Sequence, residues 1–234
     1  DIWTLSEVSA RPLYSHSPVD ALESKSLDLH INLSASPWHI DKAQLRQTLI
    51  SETSKRLSCP TVYINAIGGN DELIFDGRSM VSDAKGNIIC GLSGFREELR
   101  IADLDMPQPL DPSFEQTDLQ DIEDALVLGL RDYIYKCGFR KAIVGLSGGI
   151  DSAVTAALAV KALGKENVLG VGLPSAISSD HSKNDARDLA ANLEIDFPMV
   201  PISDIVNASE AALAPLMAER EKDVTEENIF VSRQ

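Results

Sequence analysis

The chain has 234 residues, 44% of them hydrophobic and 24% charged, enough to bury the core of one large domain or two small ones. Its formal net charge of −15 argues against sequence-independent nucleic-acid binding, which needs cations to displace phosphate counterions, although one phosphate-binding loop can act locally against that field. Three widely spaced cysteines (Cys59, Cys90 and Cys137) without a CxxC, no apolar run of ~18 residues and no signal-peptide pattern predict a cytoplasmic protein with no membrane partner, no disulfide framework and no zinc site.

Residues 1–105 alternate apolar strands with polar turns. Strands are predicted at 27–33 and 61–66, with a helix free of Gly and Pro over 42–57 between them. A hairpin follows over 79–83 and 88–90, reversing at Ala84-Lys85-Gly86-Asn87. The stretch MPQPLDPSFEQT at 106–117 carries three prolines in seven positions, which removes backbone donors and reads as a linker. A second region over 118–234 opens with a helix at about 119–136. A strand at 141–146, a helix at 151–163, a strand at 168–173, a helix at 182–193 and a strand at 197–202 follow. The β-α-β-α-β order predicts an α/β fold built on a parallel, doubly wound, Rossmann-like sheet.

The sharpest chemical signal lies in this second region, at Gly145-Leu146-Ser147-Gly148-Gly149-Ile150-Asp151-Ser152, between a buried strand and an alanine-rich helix. Adjacent glycines let the backbone approach an anion, Ser147 and Ser152 supply hydroxyl donors, and the helix start turns free N–H groups and its positive end toward the loop. Together these make a pyrophosphate cradle, in which Asp151 would be repulsive alone but useful as a ligand for a bridging Mg²⁺. The alternative is a plain N-capped helix start, where Ser and Asp are common. The loop is neither a Walker A sequence nor a GxGxxG fingerprint.

SGGIDS is similar to the SGGxDS motif of the N-type ATP pyrophosphatases, which include NAD, GMP and asparagine synthetases. The resemblance implies that residues 145–152 bind ATP. It also implies cleavage of ATP between its α and β phosphates, adenylation of a substrate oxygen and displacement of AMP by ammonia. The flanks resemble the bacterial NAD synthetases: Gly129-Leu130-Arg131-Asp132-Tyr133-Ile134 with Gly138-Phe139 before the loop, then Leu173-Pro174-Ser175, Ser178-Ser179 and Asp185-Ala186-Arg187-Asp188-Leu189-Ala190 after it. Thr225-Glu226-Glu227-Asn228 matches a T-x-E-N stretch in which the Asn contacts deamido-NAD, so Asn228 is expected at that substrate, against the alternative of an exposed helix residue. Residues 229–234, IFVSRQ, depart from the Gln-Ala-Arg-like run usual in the family.

In the first region, Asn32-Leu33-Ser34-Ala35-Ser36-Pro37-Trp38-His39 follows a strand, and from the residues alone an ordinary strand-to-helix turn is the better reading. The segment resembles a stretch of the nitrilase-like glutaminase domain that precedes the synthetase in glutamine-dependent NAD synthetases, as does NAIGGNDELIFDGRS at 65–79. This implies that residues 1–105 are the C-terminal part of a nitrilase-like α/β sandwich, with Ser36 and Lys42 holding glutamine. Asp1-Ile2-Trp3 resembles the end of that family's Cys-Glu-Asp-x-Trp segment, which would place the nucleophile upstream of Asp1, leave no catalytic residue in this chain and make it a piece lacking both ends. Cys59, Cys90 and Cys137 then read as packing residues, and His16, His30, His39 and His181 show no metal spacing.

The reaction implied is a carbon–nitrogen ligation converting deamido-NAD, ATP and glutamine to NAD, AMP, pyrophosphate and glutamate, in a homo-oligomer when full length. Its rivals are another amidotransferase of the same superfamily, against which the nitrilase-like half argues, and a non-catalytic nucleotide-binding fragment.

Overall fold

A computed structural model describes residues 2–3, 17–175 and 178–218. The chain divides into two compact units, Asp1–Cys137 and Gly138–Gln234.

In the first unit, α1 (Pro18–Glu23) precedes β1 (His30–Ser34), α2 (Lys42–Leu57) and β2 (Thr61–Asn65). β1 and β2 run parallel, with His30 opposite Thr61 and Ser34 opposite Asn65, so α2 is the crossover that parallel pairing requires. A hairpin of β3 (Ile67–Asn70) and β4 (Leu73–Asp76) turns through Asp71, whose φ is +51°. β5 (Met80–Ser82) and β6 (Ile88–Gly91) then extend the main sheet antiparallel, in the order β1-β2-β5-β6. Their turn is fastened by Asp83, whose carboxylate accepts the N–H groups of Lys85 and Asn87 at 2.8 and 2.9 Å.

α2 packs Leu49, Ile50 and Leu57 into a core with Tyr63, Met80, Val19 and Cys59. The alternation of β1 is reversed from the usual pattern. His30 is buried, while Ile31 and Leu33 point outward at 57% and 74% exposure, joined by Ile64 of β2. This sheet therefore has a second apolar face.

The proline-rich stretch is laid along β6. Gln108 N–H donates to Ile89 O and Asp111 N–H to Gly91 O, and a 3₁₀ turn (Pro112–Phe114) drives Phe114 into the core against Gly91. α3 (Asp118–Lys136) starts with a capping box formed by Thr117 and Gln120. Although sequence places this helix at the head of the second region, it packs within the first unit, on β3 and β4. The approach is close: a Cβ at Gly69 would stand 3.2 Å from the Gly129 Cα. Asp132 accepts the Gly69 N–H at 2.8 Å while Lys136, one turn on, donates to the Gly69 carbonyl, so the helix holds both backbone polar groups of one hairpin residue.

The second unit contains β7 (Ala142–Gly145), α4 (Ile150–Leu163), β8 (Val168–Val171), α5 (Asp180–Asn192) and α6 (Ser203–Ala218). β7 and β8 are parallel, Ala142 opposite Val168. The strand expected at 197–202 is reduced to parallel bridges at Asp196 and Met199, because Pro198 and Pro201 have no N–H to offer a ladder. Carbonyls and the remaining donors still pair: Gly172 N–H donates to Pro198 O and Val200 N–H to Gly172 O. The α/β parallel architecture is as expected. α1 and α6 were not anticipated.

Candidate functional site

The loop between β7 and α4 is tied to itself. Gly149 N–H donates to Ser147 Oγ at 3.2 Å, Ser147 N–H donates to Ser152 Oγ at 3.3 Å, and Ser152 Oγ donates to Gly149 O at 2.9 Å. The two hydroxyls lie 3.2 Å apart, so each serine orients the other and both stay solvent-facing. Gly148 takes φ +83°, and a Cβ there would fall 2.3 Å from the backbone oxygen of Ser182, a contact only glycine avoids. Gly149 is the α4 N-cap and makes no side-chain cap, so the first-turn N–H groups are left to face an incoming group. Leu146 is buried, pinned through its N–H to Val171 O, and supplies the apolar floor.

The loop borders a cavity of about 770 Å³ lined by Gly145, Leu146, Ser147, Asp151, Ser179 and Lys183, among others. Of the eight residues assigned to ATP, Gly145, Leu146, Ser147 and Asp151 line it. Gly148, Gly149 and Ser152 shape the wall, while Ile150 is 74% exposed and does not line it. Lys183 belongs to none of the sequence motifs. Its signal was its place on α5 four residues after Ser179, the α5 N-cap, and it brings a cation to the cavity, paired with Asp180 at 3.3 Å. Among the described residues no group of three or more His, Cys, Asp or Glu could hold a metal. A single carboxylate, Asp151, beside free N–H and O–H groups would fit Mg²⁺, which characteristically takes one or two carboxylates and fills its shell with substrate phosphates and water.

In the first unit, Arg46 contacts Ser36, and Lys42 lies one turn before Arg46 on α2. Ser36 is buried; its Oγ accepts from Arg46 Nε at 3.3 Å and its carbonyl from Nη2 at 2.9 Å. Asn65, at the end of β2, accepts the Ser36 N–H at 2.8 Å and donates to its carbonyl at 3.2 Å. Lys42 opens α2 one turn before Arg46 and stands over the Trp3 ring, 4.0 Å from its centroid. Burial, and next the charge of Arg46, hold the Lys42 ammonium below the ordinary lysine range. Tyr63 lies beside Ser34 and Ser36, and its buried OH has no hydrogen-bond partner among the described residues. Cys59 and Cys90 are buried, Cys137 is exposed, and burial pushes the Cys59 thiol up, away from the reactive thiolate. Asn228 lies outside the described residues.

Comparison with known proteins divides the chain in the same order as its motifs. The carbon-nitrogen hydrolase family matches residues 14–108 and the NAD synthase family residues 122–233. The chain is 43% identical over 235 residues to a glutamine-dependent NAD(+) synthetase of Synechocystis sp., covering 98% of this chain and 42% of that protein. It is 38% identical over 252 residues to one from Thermotoga maritima, covering 91% and 44%. A solved glutamine-dependent NAD+ synthetase from Acinetobacter baumannii, in complex with ADP, superposes with a TM-score of 0.83 at 38% identity over 90% of this chain and 41% of that one. The chain thus spans well under half the length of these relatives. With its first half matched to the carbon-nitrogen hydrolase family, its second to NAD synthase and nearly its whole length to these relatives, the chain belongs to the glutamine-dependent NAD(+) synthetase family.

Proposed function

We propose that this chain serves the ATP-dependent amidation of deamido-NAD to NAD, with glutamine as nitrogen donor and an adenylated intermediate. The observation that carries the reading is the self-tied loop at 147–152, open on a cavity beside a helix start, in a chain whose second half matches NAD synthase. A carboxylate is a poor electrophile until one oxygen becomes a leaving group, so adenylation must precede attack by ammonia. The free N–H groups of the first turn of α4, with Ser147 and Ser152, hold phosphate oxygens. Asp151 would hold Mg²⁺, and a bound ion there would supply positive charge toward the pyrophosphate leaving group. The ADP of the Acinetobacter relative is consistent with a nucleotide at this cavity.

The proposal assigns residues 1–105 to the C-terminal part of a nitrilase-like sandwich, 106–117 to a linker and 118–234 to the start of the synthetase domain. The exposed apolar face of Ile31, Leu33 and Ile64 supports the first assignment, since the second sheet of a sandwich would cover it. Ser36 and Lys42 hold glutamine and Asn228 meets deamido-NAD. The reading extends to a homo-oligomer when full length and to the cytoplasm, where three unpaired thiols are at home.

The test is isotopic. The complete gene product is supplied with deamido-NAD, MgATP and glutamine labelled with ¹⁵N in its amide. The expected outcome is label in the NAD carboxamide and one AMP per NAD. Formation of ADP in place of AMP overturns the adenylation step, and unlabelled product overturns glutamine as donor.

A further inference from the structure

The Ser36 segment is fixed from below by a run of buried charges. Arg46 is fully buried and gives Nε and Nη2 to Ser36, while its Nη1 donates to Asp76 Oδ1 at 2.6 Å. The other oxygen of Asp76 accepts from Arg78 Nη1 at 3.1 Å, and Arg78 Nη2 donates to Asp121 in the first turn of α3. Arg46, Asp76 and Arg78 are at most 1% exposed and Asp121 is 9% exposed. Charges alternate along the run and sum to zero, the condition under which ions tolerate burial.

Stability alone does not account for this arrangement. A buried ion network is commonly no more stable than apolar residues of the same volume, so its use is geometric. Local backbone points the same way. Arg78 and Phe95 both lie in the left-handed region, at φ +49° and +57°, and the Arg78 guanidinium stands over the Phe95 ring, 5.1 Å from its centroid. Gly94 leaves room for that guanidinium, since a Cβ there would approach Arg78 Cζ to 3.0 Å. Strained non-glycine backbone persists where surroundings over-determine it, characteristically beside functional sites.

The chemistry of the Ser36 contact is directional. Guanidinium donates and cannot accept, so Ser36 Oγ must be the acceptor toward Arg46, and its own proton is directed elsewhere. We propose that Arg46, held by Asp76, Arg78 and Asp121, is a positioning residue that commits the Ser36 hydroxyl to donate to an oxygen of bound glutamine. This rests on the glutamine-binding reading of Ser36 and Lys42. Lysine cannot take over the role, because a single ammonium that reaches Asp76 offers no planar fork to Ser36.

The experiment uses the complete gene product, measuring glutamate release against L-glutamine concentration for Ser36→Ala, Arg46→Lys, the Ser36→Ala/Arg46→Lys double variant and Asp121→Asn. Melting temperature is recorded on the same preparations. Arg46→Lys should raise KM for glutamine about tenfold, as loss of one charge-assisted hydrogen bond does, with kcat changed much less. The double variant should bind glutamine no worse than Ser36→Ala alone, because Arg46 acts through Ser36. Asp121→Asn, at the partly exposed end of the run, should raise KM by about threefold, less than a full charged contact is worth. If Ser36→Ala raises KM and folded Arg46→Lys does not, or if the two effects add in full, the positioning role is overturned while glutamine binding at Ser36 stands. If Ser36→Ala leaves KM unchanged, the glutamine reading of Ser36 itself falls. Should Arg46→Lys fail to fold, Asp121→Asn decides, and an unchanged KM there overturns the proposal.

Discussion

The two candidate binding segments are held by opposite means. Ser36 sits under a closed lattice of buried groups, its backbone taken by Asn65 and its side chain by an arginine that is itself ion-paired. The 147–152 loop has no such underpinning: its hydrogen bonds are internal, its side chains are exposed or half-buried, and its shape rests on Gly148 lying against α5. If Ser36 meets glutamine as proposed, the end of that ligand to be cleaved is a neutral amide with no charge of its own to organise a site, so the protein must build that geometry in advance. A triphosphate with its metal brings abundant charge, and an open cradle of N–H and O–H groups suffices to receive it.

The contrast can be broken at its strongest point. Asp76→Ala leaves two arginines buried without their shared carboxylate, and the 234-residue chain should lose ~3–5 kcal/mol of stability in urea denaturation. A loss below ~1 kcal/mol would mean the lattice is dispensable to the fold. Asp151→Asn should do the reverse. In the complete gene product, NAD formation should fall ~10²–10³-fold. Stability should move by less than ~1 kcal/mol, and glutamate release should persist. NAD formation near wild type in a folded protein would make Asp151 a helix cap.

Gly148→Ala sharpens the picture of the loop. Its left-handed φ costs ~1–2 kcal/mol for a residue with a Cβ, and the clash with the Ser182 carbonyl forces α5 aside, so MgATP titrated against the chain should bind more weakly. Gly149→Ala, at φ −91° with its Cβ 3.3 Å from Ser147 Oγ, is the matched control and should be milder. Equal effects would show that loop backbone is not the determinant.

The smallest effect is expected from pH. Burial holds the His30 imidazole below its ordinary value of 6.5, so the unfolded chain takes up the proton first. The stability contributed by neutral His30 is present above pH 6.5 and is lost as pH falls below it. His30→Gln should flatten that part of a stability-against-pH curve, and an unchanged slope would remove His30 as its source.

Much of this was legible in the sequence, for local reasons. α2 was read at its observed bounds because 42–57 has helical spacing and no breaker, and the Gly86 turn was visible in its own residues. The loop at 145–152 could be read because strand, glycines and helix start are contiguous. What escaped depends on distant partners. Prolines at 107, 109 and 112 exclude helix, but nothing local says that Gln108 and Asp111 will donate to β6. Arg46, Asp76, Arg78 and Asp121 resemble surface charges when read singly, and only the fold brings their 30-, 2- and 43-residue separations to hydrogen-bonding distance. α6 carries Pro215 inside it, which removes one helical donor and weakens the local helix signal.

The clasp of α3 on Gly69 bears on the order of events during synthesis. Asp132 and Lys136 leave the ribosome 63 and 67 residues after Gly69, the residue they grip. At roughly 5–20 residues per second, the hairpin waits about 3–13 seconds for its partner. Through that interval the close-packing surface of Gly68, Gly69 and Ile74 has no helix to cover it. Nascent chains arrested before residue 132 should therefore be cut by protease within 67–76, and chains arrested well beyond 136 should resist, which makes the first unit's completion a timed step rather than a local one.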